Sequence, residues 1–379
     1  MIFVSYIKRI FYSVDWILFG SVLFISIAGL LTMNSFVDDG TLFKKQLIWI
    51  SIATIILFVA STIDWRFLRK TGVVTSLYLL SFLSLLLLFV VGLVAQGAQR
   101  WFDFGFFGLQ PSEMTKIIII LLLAKYFSRR HIEIANVRHI LVSGFYVFVI
   151  FILILLQPNF STGVVVFLIW LSMVLFSGIS KKHLLFVFVS GILAFSFLWF
   201  FVFYDYQKTR IISFLHPLAD ITGAGYNAYQ STIAVGSGEI FGKGVGMGSQ
   251  SKLKFLPEYE TDFIFAAYSE EWGFVGVLII FSLYGVVFWR MFDISKKGAT
   301  NFETLYGLGL SSLFFSHFVI HVGMNIGVLP VTGITMPFMS YGGSHLITEF
   351  LALGILMGQK NFGRATHKEN IKNEILGVV

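Results

Sequence analysis

The chain has 379 residues, 57% hydrophobic and only 12% charged, with a mean hydropathy of +0.85. Soluble domains carry about 25% charged residues, so a water-soluble protein is excluded and a polytopic membrane protein is expected. The formal net charge is +7, but the basic residues lie between apolar segments rather than in one patch, which argues against a nucleic-acid partner; cysteine is absent, which rules out disulfides and cysteine-ligated metals.

A membrane helix needs about 20 apolar residues. Ten spans are expected, at 16–34, 47–63, 72–95, 112–127, 140–156, 162–179, 184–204, 264–289, 304–326 and 340–359. The fold class is therefore an all-α polytopic membrane protein. One membrane domain covers 1–379, with a large loop at 205–263 between the seventh and eighth helices. The first apolar run follows Lys8 and Arg9 and continues to Thr32 without a small-residue cleavage site, so it reads as a retained span.

Lys and Arg gather at one set of helix ends: Lys8, Arg9, Arg66, Arg69, Lys70, Arg129, Arg130, Arg138, Lys181, Lys182, Arg290, Lys296, Lys297 and the tail from Lys360. The short opposite loops hold Lys44, Lys45 and Arg100. By the positive-inside rule both termini are cytoplasmic and the 205–263 loop is extracytoplasmic. Cytoplasmic ATP does not reach that face, and the phosphate-binding pattern GxxxxGK(S/T) is absent. Chemistry there needs a substrate that arrives already activated.

Four stretches carry residues suited to chemistry. In Gln96–Asp103, Arg100 beside Trp101 suits a phosphate oxygen and a sugar face, or else an interfacial aromatic anchor. Gln110-Pro111-Ser112-Glu113-Met-Thr-Lys116 opens the fourth span. Glu113 and Lys116 share a helix face, and charges at that depth belong in the bundle interior or a wet cavity; a structural ion pair and a direct substrate role both fit. The long loop begins with Lys208 and Arg210, two cations suited to a polyanionic headgroup or to bulk lipid phosphate. Its glycines, from Gly223 to Gly248, permit close backbone approach to a ligand or simply make tight turns. The loop ends at Leu256-Pro-Glu-Tyr-Glu-Thr-Asp262-Phe-Ile-Phe265, where Asp262 serves equally as a helix N-cap or as a partly buried general base. Glu270 and Glu271 follow in the same helix. From Asn325 to Ser344, two prolines and several glycines interrupt an apolar stretch; irregular backbone at membrane depth lines a cavity or is covered by protein. Histidines 317, 321 and 345 lie nearby without the spacing of a metal-ligand set.

Together, Gln-Pro-Ser-Glu-x-x-Lys at 110–116, Gly-Ala-Gly-Tyr at 223–226, Gly-Ser-Gly at 236–238, Leu-Pro-Glu-x-x-Thr-Asp-Phe-Ile-Phe at 256–265 and Pro-Phe-x-Ser-Tyr-Gly-Gly-Ser at 337–344 resemble the SEDS family of bacterial cell-wall proteins, over nearly the whole chain. Gly97–Asp103 and Met324–Gly333 resemble its RodA (elongation) branch more than its FtsW (division) branch. The resemblance implies a peptidoglycan glycosyltransferase of the inner membrane that polymerises lipid II during cell elongation, with undecaprenyl diphosphate as leaving group. It implies Asp262 as the base, and Gln110, Ser112, Glu113, Lys116, Arg100 and Arg210 as substrate-binding residues. It also implies partnership with a class B penicillin-binding protein and other elongation-complex membrane proteins. A divalent cation, Mg or Mn, is an optional cofactor on this reading. A lipid II flippase and a division-specific polymerase are the alternatives. The chain departs from the family pattern at Gln157-Pro-Asn159-Phe-Ser161-Thr162, where Asp and Gly are usual, and at His345 and Glu349, where the tenth span is usually more apolar.

Overall fold

The computed structural model describes residues 10–34, 40–95, 98–105, 107–128, 137–178, 180–201, 203, 208–209, 212–214, 225–253, 255–256 and 258–363. Its elements, in chain order, are α1 Trp16–Asn34, α2 Thr41–Thr62, a 3-10 turn Trp65–Arg69, α3 Thr71–Val91, strands β1 Leu93–Ala95, β2 Ala98–Asp103 and β3 Gly108–Leu109, α4 Pro111–Ser128, α5 Val137–Leu156, α6 Phe160–Phe176, α7 Lys181–Phe201, α8 Tyr226–Ser237, α9 Ile264–Lys296, α10 Asn301–Asn325 and α11 Gly343–Gly363.

Each of the ten expected spans coincides with one long helix. Seven of them (α1, α2, α3, α5, α7, α9 and α10) are long and apolar enough to cross a membrane. The other three are α6, of 17 residues, and α4 and α11, whose apolar runs are interrupted by Glu113, Lys116 and Lys125 and by His345, Glu349 and Lys360. Charge inside a span is costly unless it faces a partner or a cavity. Here Glu113 of α4 and His345 of α11 meet at 2.8 Å, and Lys360 turns to Asp15 ahead of α1.

Two elements depart from the expected pattern. The connection after α3, read as a loop, folds into a three-stranded antiparallel sheet, with Val94 opposite Gln99 and Phe102 opposite Leu109. The long loop contains α8, which packs against α9 and α10.

The most extensive helix pairing joins α2 to α11. It depends on Gly354 and Gly358, one turn apart. A Cβ at Gly354 would stand 2.6 Å from Ala60 Cβ, and one at Gly358 3.0 Å from the Ala60 carbonyl oxygen. Small residues at this spacing allow the close backbone approach that drives helix association in lipid. At the end of the bundle away from the sheet, Asp15 ahead of α1 accepts from Arg290 Nε of α9 at 3.2 Å and from Lys360 Nζ of α11 at 3.3 Å. Arg69 Nε reaches Glu303 of α10 at 2.6 Å.

Helix α9 is broken at Gly273, where φ is 64° and ψ −167°. The break frees backbone groups on both sides, and the loop after α8 satisfies them. Lys243 N and Gly244 N each donate at 3.0 Å to the carbonyls of Glu270 and Glu271; Phe274 N and Val275 N donate to Glu239 and Ile240 at 2.9 and 3.0 Å. The Glu270 side chain, fully buried, accepts from Lys243 Nζ at 2.7 Å and from Ser249 N at 2.9 Å. A Cβ at Gly273 would meet Gly242 N at 2.2 Å, so this contact requires glycine. Gly238 and Gly242 of the long loop thus pack chain against chain here, and Glu270 and Glu271 fasten that loop to α9.

Candidate functional site

At the sheet end of the bundle lies a cavity of about 1240 Å³. Its wall includes Arg100 and Trp101 of β2, Gln110, Glu113 and Lys116 of the α4 entry, and Asn159 and Ser161 at the start of α6. The opposite side is formed by Glu258, Thr261 and Asp262 before α9, His317 of α10, the 330–335 segment, and Tyr341 and His345 at the start of α11. Residues scattered over some 250 positions therefore face one space.

Asp262 is partly exposed to this space. Helix α9 starts at Ile264 with Phe263 in the cap position, so Asp262 precedes the cap instead of occupying it. Its backbone is held from three directions. Its carbonyl accepts from Asn325 Nδ2 at 3.1 Å, the neighbouring Thr261 carbonyl accepts from Ser340 Oγ at 2.7 Å, and the Glu260 carbonyl accepts from Tyr341 N at 2.9 Å. Gly333 lies against the carboxylate: a Cβ there would be 3.0 Å from Asp262 Oδ2. With φ of +72° at Gly333, glycine serves both the turn and the close approach.

Helix α4 begins with Pro111 at its first position, where proline's missing N–H is no loss. One turn in, Lys116 Nζ contacts Glu113 Oε1 at 2.8 Å, and both are buried. The pair belongs to a larger cluster. Lys116 Nζ is also 3.1 Å from His317 Nε2, and the second Glu113 oxygen lies 2.8 Å from His345 Nδ1. His345 Nε2 is 3.0 Å from Thr335 Oγ1 and 2.9 Å from Glu349 Oε1, while Glu349 Oε2 accepts from Phe338 N at 2.8 Å. The rings of His317 and His345 stack with centroids 5.6 Å apart.

The remaining expected residues divide. Gln110 lines the cavity, and its backbone N–H donates to Ser344 Oγ at 3.2 Å, tying α4 to α11. Ser112 is buried away from the cavity wall, and its hydroxyl has no hydrogen-bond partner among the described residues. Arg100 faces the cavity, but its guanidinium also donates to the Gln157 and Pro158 carbonyls beyond the end of α5. Arg210 lies outside the described residues. Asn159 caps α6, accepting from Thr162 N at 3.4 Å, a task amide and carboxylate perform equally well. Among the described residues no three of His, Asp or Glu are arranged to hold a metal ion. The divalent cation allowed by the resemblance therefore finds no protein ligand set among them.

Sequence reasoning missed the supporting roles of Asn325, Gly333, His317, His345 and Glu349. His345 and Glu349 did carry a signal, being an acid and a base one helical turn apart in an apolar span. Nothing local pointed to Asn325, whose partners are distant in sequence.

Residues 8–364 match the FtsW/RodA/SpoVE family, described as a cell cycle protein. The chain is 36% identical over 321 residues to the peptidoglycan glycosyltransferase MrdB of Escherichia coli K12, covering 84% of this chain and 86% of that one. Among solved structures it is similar to a chain of a peptidoglycan synthase complex studied for the coordination of polymerization and crosslinking. The TM-score is 0.79 at 28% identity, with 92% of this chain and 98% of that chain covered. It is also similar to the rod shape determining protein RodA of Thermus thermophilus, with a TM-score of 0.69 at 28% identity, covering 92% and 97% of the two chains. A family match over nearly the full length, joined to the motifs gathered at one cavity, makes this chain a member of the FtsW/RodA/SpoVE family, the SEDS proteins.

Proposed function

We propose that this protein is a peptidoglycan glycosyltransferase of the inner membrane, polymerising lipid II into glycan strands during cell elongation. The observation that carries this reading is the shared cavity, which places the Asp262 carboxylate in one space with the Glu113–Lys116 pair and Arg100. The cavity end faces outward and both termini are cytoplasmic. The support is charge: Arg66, Arg69, Arg290, Lys296, Lys297 and Lys360 all lie at the other end.

In the reaction, Asp262 takes the proton from the acceptor's sugar hydroxyl. That oxygen bonds to the donor's anomeric carbon as the bond from this carbon to the diphosphate oxygen breaks, and the electron pair leaves with undecaprenyl diphosphate. The fixed backbone at 260–262 holds the carboxylate in place, so no reorganisation is needed as charge moves. Lys116 and Arg100 supply positive charge for the departing diphosphate, which binds through ionic hydrogen bonds. A class B penicillin-binding protein crosslinks the product strands; the likeness to the synthase complex supports this partner.

The test uses the purified protein with its cognate class B penicillin-binding protein and lipid II. Glycan chains are expected with the native protein and none with Asp262→Ala. Normal polymerisation by the Ala variant would remove the base assignment. Lipid II translocation without polymer by the native protein would replace the enzyme with a flippase.

A further inference from the structure

His345 is the one cluster member that touches two carboxylates. Nδ1 faces Glu113 Oε2 at 2.8 Å, and Nε2 faces Glu349 Oε1 at 2.9 Å. An ionised carboxylate only accepts, and a neutral imidazole has a single N–H. Nε2 has its hydrogen bond with Thr335 Oγ1 at 3.0 Å, and Glu349 Oε1 stands at ion-pair distance with no hydrogen-bond partner among the described residues. Two carboxylates this close to one buried ring favour the form with protons on both nitrogens. His317 plays the opposite part. Its Nε2 meets the Lys116 ammonium, which only donates, so that nitrogen accepts and Nδ1 carries the hydrogen toward the Thr335 carbonyl at 3.3 Å. The buried cluster then holds two negative groups, Glu113 and Glu349, and two positive ones, Lys116 and His345. Such balance is the condition for keeping charges in a low-dielectric interior.

Geometry gives this balance a consequence. Glu113 divides its two oxygens, Oε1 to Lys116 and Oε2 to His345. With His345 in place, Lys116 spends one N–H on Glu113 and one on His317, and among the described residues its third is left for the cavity it lines. Without the imidazolium, both carboxylate oxygens compete for Lys116 and draw the ammonium back into the wall. We propose that His345, anchored by Glu349, is the positioning residue that presents Lys116 to the anionic leaving group in the cavity. Glu349 is held in turn by Phe338 N at 2.8 Å, so the anchor reaches back into the irregular segment before α11. The charged and titratable groups packed around the pair are Glu113 and Lys116 from α4, His317 and His321 from α10, and Tyr284 from α9 beside Glu349.

This inference rests on the glycosyltransferase reading, and its test separates the two. Undecaprenyl diphosphate binding to the full-length protein is measured by calorimetry in detergent, alongside kcat/KM for lipid II with the partner present. His345→Gln and Glu349→Gln are each expected to weaken diphosphate binding and lower kcat/KM by about ten- to a hundredfold, the size of one lost charge-assisted hydrogen bond. The double variant H345L/E349L removes the pair without leaving a lone buried charge. It strands the buried Phe338 N–H, so a lower melting temperature is expected, but binding measured well below that temperature should still be lost, which a purely structural pair would not do. His345→Lys restores a cation between the carboxylates. It should recover binding and move the alkaline limb of the binding profile to higher pH than in the native protein. Native binding in H345Q and H345L/E349L would overturn the positioning role. Native protein that binds no diphosphate and makes no polymer would instead overturn the functional reading beneath it.

Discussion

Asn325, fully buried at the end of α10, donates from Nδ2 to the Asp262 carbonyl at 3.1 Å and accepts at Oδ1 from Ala266 N at 3.2 Å. One amide side chain thus grips the chain on both sides of the α9 start, and Ser231 of α8 secures Asn325 in turn through its carbonyl at 2.9 Å. The proposed base owes its position to a residue 63 positions away.

Replacing Asn325 with Ala frees the Asp262 backbone and strands the Ala266 N–H. Destabilisation of about 1–3 kcal/mol is expected from the unsatisfied buried groups. Polymerisation should fall by about a hundredfold, because small misplacements of a reacting group are that costly. Melting temperature and turnover, measured on the same preparation, check the claim; full activity would show that Asp262 does not depend on this anchor.

Gly333→Ala places a methyl group 3.0 Å from Asp262 Oδ2 at a position with φ of +72°. The backbone term alone costs about 1–2 kcal/mol. Gly40→Ala, with φ of +69° and open space around its Cβ, supplies the same strain without touching the carboxylate. Both variants should lose similar stability, but only Gly333→Ala should lose turnover. Equal activities would mean that the carboxylate tolerates the displacement.

Glu270→Ala leaves Lys243 Nζ and the Ser249 and Gln250 amides without their shared acceptor. Glu270 is buried but Lys243 is exposed, so the cost lies mainly in the amides left unsatisfied, about 1–3 kcal/mol, and it falls on the loop docked at Gly273. Limited proteolysis should open 239–256 well before the bundle itself unfolds. Protection equal to that of the native protein would show that the backbone pairing at the helix break suffices.

Asp15 tests the opposite end of the bundle through pH. Burial by itself would raise its pKa, but hydrogen bonds from Arg290 and Leu18 and the nearby charges of Lys360 and Arg290 outweigh this and lower it. A carboxylate held below its unfolded value of about 3.9 stabilises the fold above that pH and loses this contribution as pH falls through the folded value. Asp15→Asn should therefore lower the melting temperature at neutral pH, and the difference from the native protein should shrink as pH falls below about 4. A constant difference from pH 7 to pH 3 would show that the charge of Asp15 is not what joins α1, α9 and α11.

Much of the architecture is legible in the sequence. Ten helices were readable because apolar runs near bilayer length have few other stable forms: a backbone out of water must satisfy its own hydrogen bonds. Even α4 and α11, which carry charge, were readable from the apolar residues around it. The meander at 93–109 was not, since its strands are two to six residues long and too short for an alternating pattern to stand out. Helix α8 was hidden by its polar, glycine-flanked composition; packing against α9 and α10 holds it where propensity alone would not.

By itself, the sequence determined the composition class and the order of the ten long helices, and it marked Asp262, Glu113 and Lys116 as candidates, charged groups costly to place at a membrane without a partner or a cavity. Tertiary structure alone decided which distant groups meet. It put Asn325 under Asp262, Gly333 against its carboxylate, His345 between Glu113 and Glu349, and the Gly242 loop in the break of α9. Helix periodicity reports only the neighbours one turn away on the same helix. A buried charge finds its counter-charge on whichever helix packing brings alongside, and that choice belongs to the folded bundle as a whole.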